Sequence, residues 1–101
     1  TDMINLGTLG GDYSWAYSIN NSGYVVGASD PDSENRRAFI WKDGVMTDLG
    51  VIADCCSAAN DINEAGLIVG YSTDEDGWGY RHAVMWQDGQ IIDLVHCKAI
   101  L

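Results

Sequence analysis

Five aromatic side chains are the strongest candidates for binding chemistry in this sequence. They are Tyr13, Trp15, Tyr17, Trp78 and Tyr80. The flat face of an aromatic ring can stack on a sugar ring, and a large amphipathic ring can anchor a protein partner. We therefore regard these residues as candidate carbohydrate-binding or protein-binding side chains. The competing interpretation is that they cover the edge of a sheet or pack within an interface between subunits.

Two acidic stretches could bind a cation. Residues 30–34 read Asp-Pro-Asp-Ser-Glu, and residues 74–77 read Asp-Glu-Asp-Gly. Alternating carboxylates beside a glycine can chelate calcium, which takes about six to eight oxygen ligands. Neither stretch supplies a complete ligand series. The sequence therefore favours two solvated acidic loops, and we predict no metal site and no cofactor.

Motifs that carry catalysis are absent from the sequence. It contains no Gly-x-Ser-x-Gly turn, no glycine-rich phosphate loop and no His-Glu-x-x-His pair. The two histidines are His82 and His96, and Cys97 follows His96 directly. Strand alternation would direct those two neighbours to opposite faces, so we predict no catalytic residue. The alternative is a small hydrolase, directed at glycans or esters, in which acidic residues of two subunits meet.

The charge balance disfavours some classes of partner. The 101 residues include 15 acidic and 5 basic ones, which gives a net charge of −10 and repels phosphate backbones and anionic lipid surfaces. No apolar run approaches the roughly 20 residues that span a bilayer, and no signal-peptide pattern is visible. We therefore expect no nucleic-acid partner and no membrane-spanning segment.

Three cysteines, Cys55, Cys56 and Cys97, are an odd number without a Cys-x-x-Cys spacing. This pattern argues against a disulfide framework and against a structural zinc site. Cys97 could form a bridge to either of the other two. The prediction is nevertheless that the thiols are free and partly buried.

An internal repeat organises the chain. Shifting the sequence by 43 residues superimposes its first part on its second, and the shift becomes 45 from Arg36 and Arg81 onward. The superimposed pairs include Ile19 and Ile62, Asn20 and Asn63, Val26 and Val69, and Trp41 and Trp86. Positions that both copies require are best explained by packing, so we place these isoleucines, valines and tryptophans in the core. We expect the two asparagines to bond backbone groups of local turns.

Each repeat is predicted to contain four short strands, because alternating segments are separated by Asn-x-x-Gly and Asp-Gly turns. The predicted strands are 15–19, 24–29, 37–41, 45–49, 59–62, 67–72, 82–86 and 90–94. An additional strand is predicted at Met3–Leu9, equivalent to the fourth strand of a repeat. No stretch has a sustained helical period.

The predicted fold class is therefore all-β, with two tandem four-stranded antiparallel meanders that are similar to β-propeller blades and an extra N-terminal strand. We divide the single domain, 1–101, into repeat 1 at about 3–45, repeat 2 at about 46–90 and a partial terminal strand at 91–101. Propeller rings contain about four blades or more. Two blades predict either a ring assembled from several chains or a face-to-face sandwich. We expect a homo-oligomer, because open sheets leave edges and apolar faces that another copy can cover.

Four motifs resemble a known family. They are Leu-Gly-Thr-Leu-Gly-Gly at 6–11, Ile-Asn-x-x-Gly-x-x-Val-Gly at 19–27, Ala-Phe-x-Trp-x-x-Gly at 38–44 and Met-x-Asp-Leu-Gly at 46–50. In this combination they resemble the HAF repeat of bacterial extracellular proteins. Residues 82–84 read His-Ala-Val in place of the family's His-Ala-Phe. The resemblance implies an extracellular or cell-surface protein with a binding or structural character and no catalytic activity.

The predicted function is a non-catalytic binding or interaction module that self-associates and takes a carbohydrate or protein ligand. A shallow aromatic platform would fit this function. The alternative hydrolase would instead require a deep cleft that gathers His82 or His96 with carboxylates.

Overall fold

The computed structural model describes residues 3–30, 35–52, 56–73 and 81–94. Within these ranges the chain forms eight strands and no helix. The strands are β1 (Ser14–Ile19), β2 (Val25–Ser29), β3 (Arg37–Lys42), β4 (Val45–Asp48), β5 (Ser57–Ile62), β6 (Ile68–Thr73), β7 (Arg81–Gln87) and β8 (Gln90–Asp93). Consequently, the described part of the chain has no helix long and apolar enough to cross a membrane.

The strands form two antiparallel meanders, sheet 1 with the order β1-β2-β3-β4 and sheet 2 with the order β5-β6-β7-β8. The predicted fold class, all-β with two four-stranded antiparallel meanders, is confirmed. The predicted strand ends lie within two residues of the observed ones. Pairing registers correspond between the sheets: Val25 pairs with Trp41 in sheet 1, as Ile68 pairs with Trp86 in sheet 2.

The second hairpin turn of each sheet is built on an Asp-Gly pair. Asp43 and Gly44 have φ angles of 50° and 91°, and Asp88 and Gly89 have φ angles of 52° and 81°. Two successive positive φ angles are the signature of a type I′ turn, whose twist matches that of the flanking strands. These turns fix the registers of β3 with β4 and of β7 with β8.

Side-chain alternation gives each sheet two faces. The front face of sheet 1 carries Val26, Ala28, Ala38 and Ile40, and its back face carries Val25, Phe39 and Trp41. The equivalent front face of sheet 2 carries Val69, Tyr71, Ala83 and Met85, and its back face carries Ile68, Val84 and Trp86.

The core lies between the front face of sheet 1 and the back face of sheet 2. Its buried cluster consists of Val26, Ala38, Ala59, Ile62, Ile68, Val84 and Trp86, with Ile40, Leu49, Ile52 and Ile91 packed against it. The strand of sheet 2 that lies against sheet 1 is β5, which approaches β1, β2 and β3. The two sheets are therefore stacked front on back, and they do not present the same face to each other.

This stacking corrects part of the predicted core. Ile62, Val26 and Trp86 are buried as predicted, but Ile19 is 65% exposed and Val69 is 43% exposed. Trp41 is only half-buried. The reason is that the back face of sheet 1 and the front face of sheet 2 point away from the junction, so equivalent residues have unequal neighbours.

The prediction of an extra strand at Met3–Leu9 is also corrected, because these residues form no strand. They are attached to sheet 1 by bonds from Leu9 N to Ser29 Oγ (2.9 Å) and from Ser14 Oγ to Gly7 O (2.8 Å). The stretch before β5 is attached to sheet 2 in the same way. A strand requires a ladder partner, and among the described residues no strand lies beside 3–9 as β3 lies beside β4.

Candidate functional site

Two of the predicted binding residues form a stacked pair on the surface. The ring centroids of Tyr13 and Trp15 are 6.1 Å apart and their planes are inclined by 21°, an offset-stacked arrangement that aromatic pairs prefer. Tyr13 is 63% exposed and Trp15 is 36% exposed. The guanidinium carbon of Arg36 lies 4.5 Å from the centroid of the Trp15 ring. We call these three residues the aromatic platform.

The backbone of the aromatic platform is held by sheet 1. The carbonyl oxygen of Tyr13 accepts hydrogen bonds from Asp30 N (3.0 Å) and Ser29 Oγ (3.2 Å). Trp15 pairs with Ala28 on the front face. Gly27 lies beside this pair and has no room for a side chain, because a Cβ there would collide with the Trp15 carbonyl oxygen. The backbone under the exposed rings is therefore ordered by its hydrogen bonds to sheet 1, which lowers the entropic cost of binding.

Tyr17 is separated from the platform by a β-bulge. Ala16 pairs with Gly27 and Ser18 pairs with Val26, so Tyr17 is the extra residue between them. It is 48% exposed, and in the described part of the chain its ring does not stack on Tyr13 or Trp15. The other two candidates, Trp78 and Tyr80, lie outside the described residues.

Sheet 2 contains a second aromatic position that the sequence analysis missed. Arg81 places its guanidinium carbon 4.5 Å from the centroid of the Tyr71 ring, as Arg36 does over Trp15. Tyr71 pairs with Ala58 at the ladder position where Trp15 pairs with Ala28 in sheet 1. Each sheet thus has one aromatic residue and one alanine there, on exchanged strands. Tyr71 could have been found from the sequence by aligning the two strands of the predicted hairpin with the bulge taken into account. Tyr71 then lies opposite Ala58.

The chemistry of the platform is that of a binding surface. The open face of Tyr13 can take the C–H face of a sugar or an apolar side chain. The Arg36 guanidinium adds a fixed positive charge and planar N–H donors beside the rings. Stacking on the Trp15 ring also orients the guanidinium. The aromatic platform therefore combines an apolar ring surface with hydrogen-bond donors of defined direction.

A histidine and a carboxylate meet elsewhere in sheet 2. His82 Nδ1 lies 3.0 Å from Asp93 Oδ2, and at the equivalent position of sheet 1 Arg37 Nη1 lies 3.4 Å from Asp48 Oδ2. A pair that recurs in both sheets between the third and fourth strands is better explained as a structural cross-strand contact than as a catalytic dyad. His96 lies outside the described residues.

A cleft between the sheets has a volume of about 420 Å³ and is lined by Ile40, Leu49 and Trp86 together with Asp48 and Asp88. Asp48 is already engaged, since its Oδ1 accepts from Gly50 N at 2.8 Å and its Oδ2 faces Arg37. Glycoside hydrolysis uses two carboxylates in most families. This cleft leaves Asp88 as its one further carboxylate among the described residues, and its geometry does not favour a hydrolase.

Metal binding is not evident in the described ranges. No group of three or more histidine, cysteine, aspartate or glutamate side chains converges there. Residues 31–34 and 74–77, which contain most of the two acidic stretches, lie outside the described residues. The expectation of solvated acidic loops therefore remains a prediction.

The predicted free thiol at Cys56 is corrected, because this cysteine is disulfide-bonded. Cys55 and Cys97 lie outside the described residues. Cysteine spacing in the sequence does not report the distance between Cβ atoms, which decides whether a bridge can form. The sequence left a bridge from Cys97 open and could not choose between the alternatives.

Comparison of this chain with known protein families, with curated proteins and with solved structures found no match.

Proposed function

We propose that this chain is a non-catalytic binding module of the HAF repeat type that presents the aromatic platform to a ligand outside the cell and self-associates. The observation that carries the proposal is the exposed Tyr13–Trp15 stack with Arg36 over the Trp15 ring. A surface of this kind supports binding, because it supplies ring faces and N–H donors.

Carbohydrate is the ligand class that this chemistry fits best. A sugar has a C–H face that stacks on a ring and hydroxyl groups that accept from a guanidinium. The net charge of −10 repels anionic ligands over longer distances, which favours a neutral saccharide. A protein segment with an apolar side chain is the second ligand class that can occupy the same rings.

Export from the cell is supported by two independent points. The first is the resemblance of the motifs to a family of extracellular proteins. The second is the disulfide at Cys56, since disulfides persist in oxidising compartments and are rare in a reducing cytosol.

Self-association is supported by the two outward sheet faces. Ile19 on one face and Val69 on the other are largely exposed although both positions recur in the repeat. Exposed apolar faces on an otherwise polar surface are typical of interaction sites.

Isothermal titration calorimetry with neutral oligosaccharides of different linkage tests the ligand proposal. We expect one linkage class to bind, and Trp15→Ala and Tyr13→Ala to weaken binding at least tenfold. Tyr24→Ala is the matched control, because Lys42 Nζ lies 4.5 Å from the centroid of the exposed Tyr24 ring. That variant removes an aromatic residue under a cation without touching the platform.

Two outcomes contradict the ligand proposal. One is the absence of heat from any saccharide at millimolar concentration with the wild-type chain. The other is an equal loss of affinity in the Tyr24→Ala and Trp15→Ala variants, which would place the ligand elsewhere.

A further inference from the structure

The junction between the two sheets is of the heterologous kind, because it joins the front of one sheet to the back of the other. In a stack of two sheets, such a junction leaves one back face and one front face that the other sheet does not cover. Here they are the back face of sheet 1 and the front face of sheet 2, at opposite ends of the stack. We infer that two copies of this chain join head to tail, the front face of sheet 2 in one copy packing on the back face of sheet 1 in the next. This inference rests on the proposed self-association and specifies its surfaces.

Apolar residues that such a junction needs are present at both ends, although Val25 and Phe39 of the back face are already buried within the single chain. On the front side, Val26 is fully buried inside the chain, whereas its equivalent Val69 is 43% exposed. On the back side, Ile62 is 7% exposed inside the chain, whereas its equivalent Ile19 is 65% exposed. The two ends therefore carry the same residue types that pack against each other in the middle of the chain.

The front face of sheet 2 has a depression that can receive Ile19 of another copy. Its volume is about 160 Å³, and its lining includes Asn63, Val69 and Met85. Inside the chain, Ile62 lies beside Asn20 and Ile40, the equivalents of Asn63 and Met85. Ile19 of the second copy is equivalent to Ile62 and enters the depression.

Polar groups at the junction also have their counterparts. Inside the chain, Ser18 Oγ donates to Asp61 Oδ1 (2.8 Å) and Asn20 Nδ2 donates to the carbonyl oxygen of Asn63 (3.1 Å). Both bonds join equivalent positions. The single proton of the Ser18 hydroxyl is used within its own chain, whereas Asn63 carries the same amide donor as Asn20. Between copies, the Asn63 Nδ2 of the first copy donates to the Asn20 carbonyl of the second.

A second pair of polar groups matches in the same way. Inside the chain, Ala38 N donates to Ser57 Oγ (2.8 Å), while that hydroxyl donates to Gly50 O (3.0 Å). The equivalent hydroxyl of Ser14 donates to Gly7 O (2.8 Å) in the same manner. It is thereby oriented to accept from Ala83 N of the neighbouring copy.

Two consequences follow from the geometry. A repeated heterologous contact either closes into a ring or continues as a filament. Because each copy supplies two blades and propellers contain about four to eight, a closed ring would hold about two to four copies.

Trp15 and Ala28 lie on the front face of sheet 1, which sheet 2 already faces. The joining of copies therefore leaves the aromatic platform open for ligand.

Complementary blocking variants test the inference by size-exclusion chromatography with light scattering. Val69→Lys blocks the front face of sheet 2, and Ile19→Lys blocks the back face of sheet 1. Both residues are exposed in the single chain, so each variant is expected to fold, which circular dichroism checks. Val45→Lys is the matched control, because Val45 is 64% exposed and belongs to neither end.

We expect the wild type and Val45→Lys to form the same oligomer and each blocked variant alone to be monomeric. A 1:1 mixture of the two blocked variants should form a dimer, because one intact front and one intact back remain. An oligomer formed by either blocked variant alone, or a mixture that stays monomeric although the wild type assembles, overturns the head-to-tail mode. A wild type that is monomeric at every concentration overturns self-association as well, while saccharide binding is unaffected by either result.

Discussion

Asn20 donates a hydrogen bond from its side-chain Nδ2 to the backbone carbonyl of Asn63, the residue that occupies the same position in the other sheet. The Oδ1 atom of each asparagine accepts two backbone N–H groups of its own turn, as the sequence predicted. One side chain thus shapes a turn and also joins two sheets. The bond connects equivalent positions of the two sheets.

Substituting aspartate at these two positions should separate the effect of the hydrogen bonds within the turn from that of the bond between the two sheets. Asn20→Asp keeps the oxygen that accepts within the turn, removes the donor to Asn63 and introduces a charge at a buried site. We expect a loss of about 1 to 3 kcal/mol in the free energy of unfolding. Asn63→Asp, the matched control at an exposed site, should change it by less than about 0.5 kcal/mol. Urea titration of dilute protein measures both, and equal losses would contradict the joining role.

The strand pattern was predictable because it depends on local chemistry. Alternation and turn residues are read over a few positions, and Asp43-Gly44 specifies its hairpin without help from the rest of the chain. The two four-stranded sheets followed from the same signals.

Burial was not predictable from the repeat. Ile19 and Ile62 are identical residues in equivalent strands, and only the direction in which the sheets stack decides which is covered. The same limit applies to the platform. The sequence indicated Trp15 as a candidate binding residue, but in sheet 2 the aromatic residue of the corresponding pair is Tyr71, on the neighbouring strand. That exchange is visible only when the strands are paired.

The close contact between the backbones of β1 and β2 at the bulge should require the absence of a side chain at Gly27. A Cβ at this position would meet the carbonyl oxygen of Trp15, and a backbone atom cannot move aside as a flexible side chain can. We expect Gly27→Ala to lower the free energy of unfolding by about 1 to 3 kcal/mol and to weaken saccharide binding, since the backbone under the platform shifts. Thr47→Ala, at an exposed site of the same sheet, should cost less than about 0.5 kcal/mol. If urea titration shows no difference between the two variants, the close approach is not a constraint.

The contact between His82 and Asp93 should tolerate arginine, the residue that sheet 1 has at the position of His82. His82→Arg recreates the pair that Arg37 forms with Asp48. Because a partly exposed ion pair contributes about 0 to 1 kcal/mol, we expect the midpoint of urea unfolding to remain close to that of the wild type, with saccharide affinity unchanged. If the wild type hydrolysed a chromogenic ester or glycoside and a well-folded His82→Arg variant did not, the structural role assigned to this histidine would be wrong.

Reduction of the disulfide at Cys56 should destabilise the chain. A native disulfide commonly contributes about 2 to 4 kcal/mol, in large part by restricting the unfolded state, and a domain with a small core has little stability to spare. We expect a phosphine reductant to lower the midpoint of thermal unfolding of the wild type. The Cys56→Ser variant should already unfold at the lower temperature and should not respond to the reductant. Mass spectrometry of a non-reduced digest identifies the partner cysteine. A wild-type midpoint that is unaffected by complete reduction would show that the bridge does not stabilise the fold. A non-reduced digest without a bridged peptide would remove one of the two supports for export.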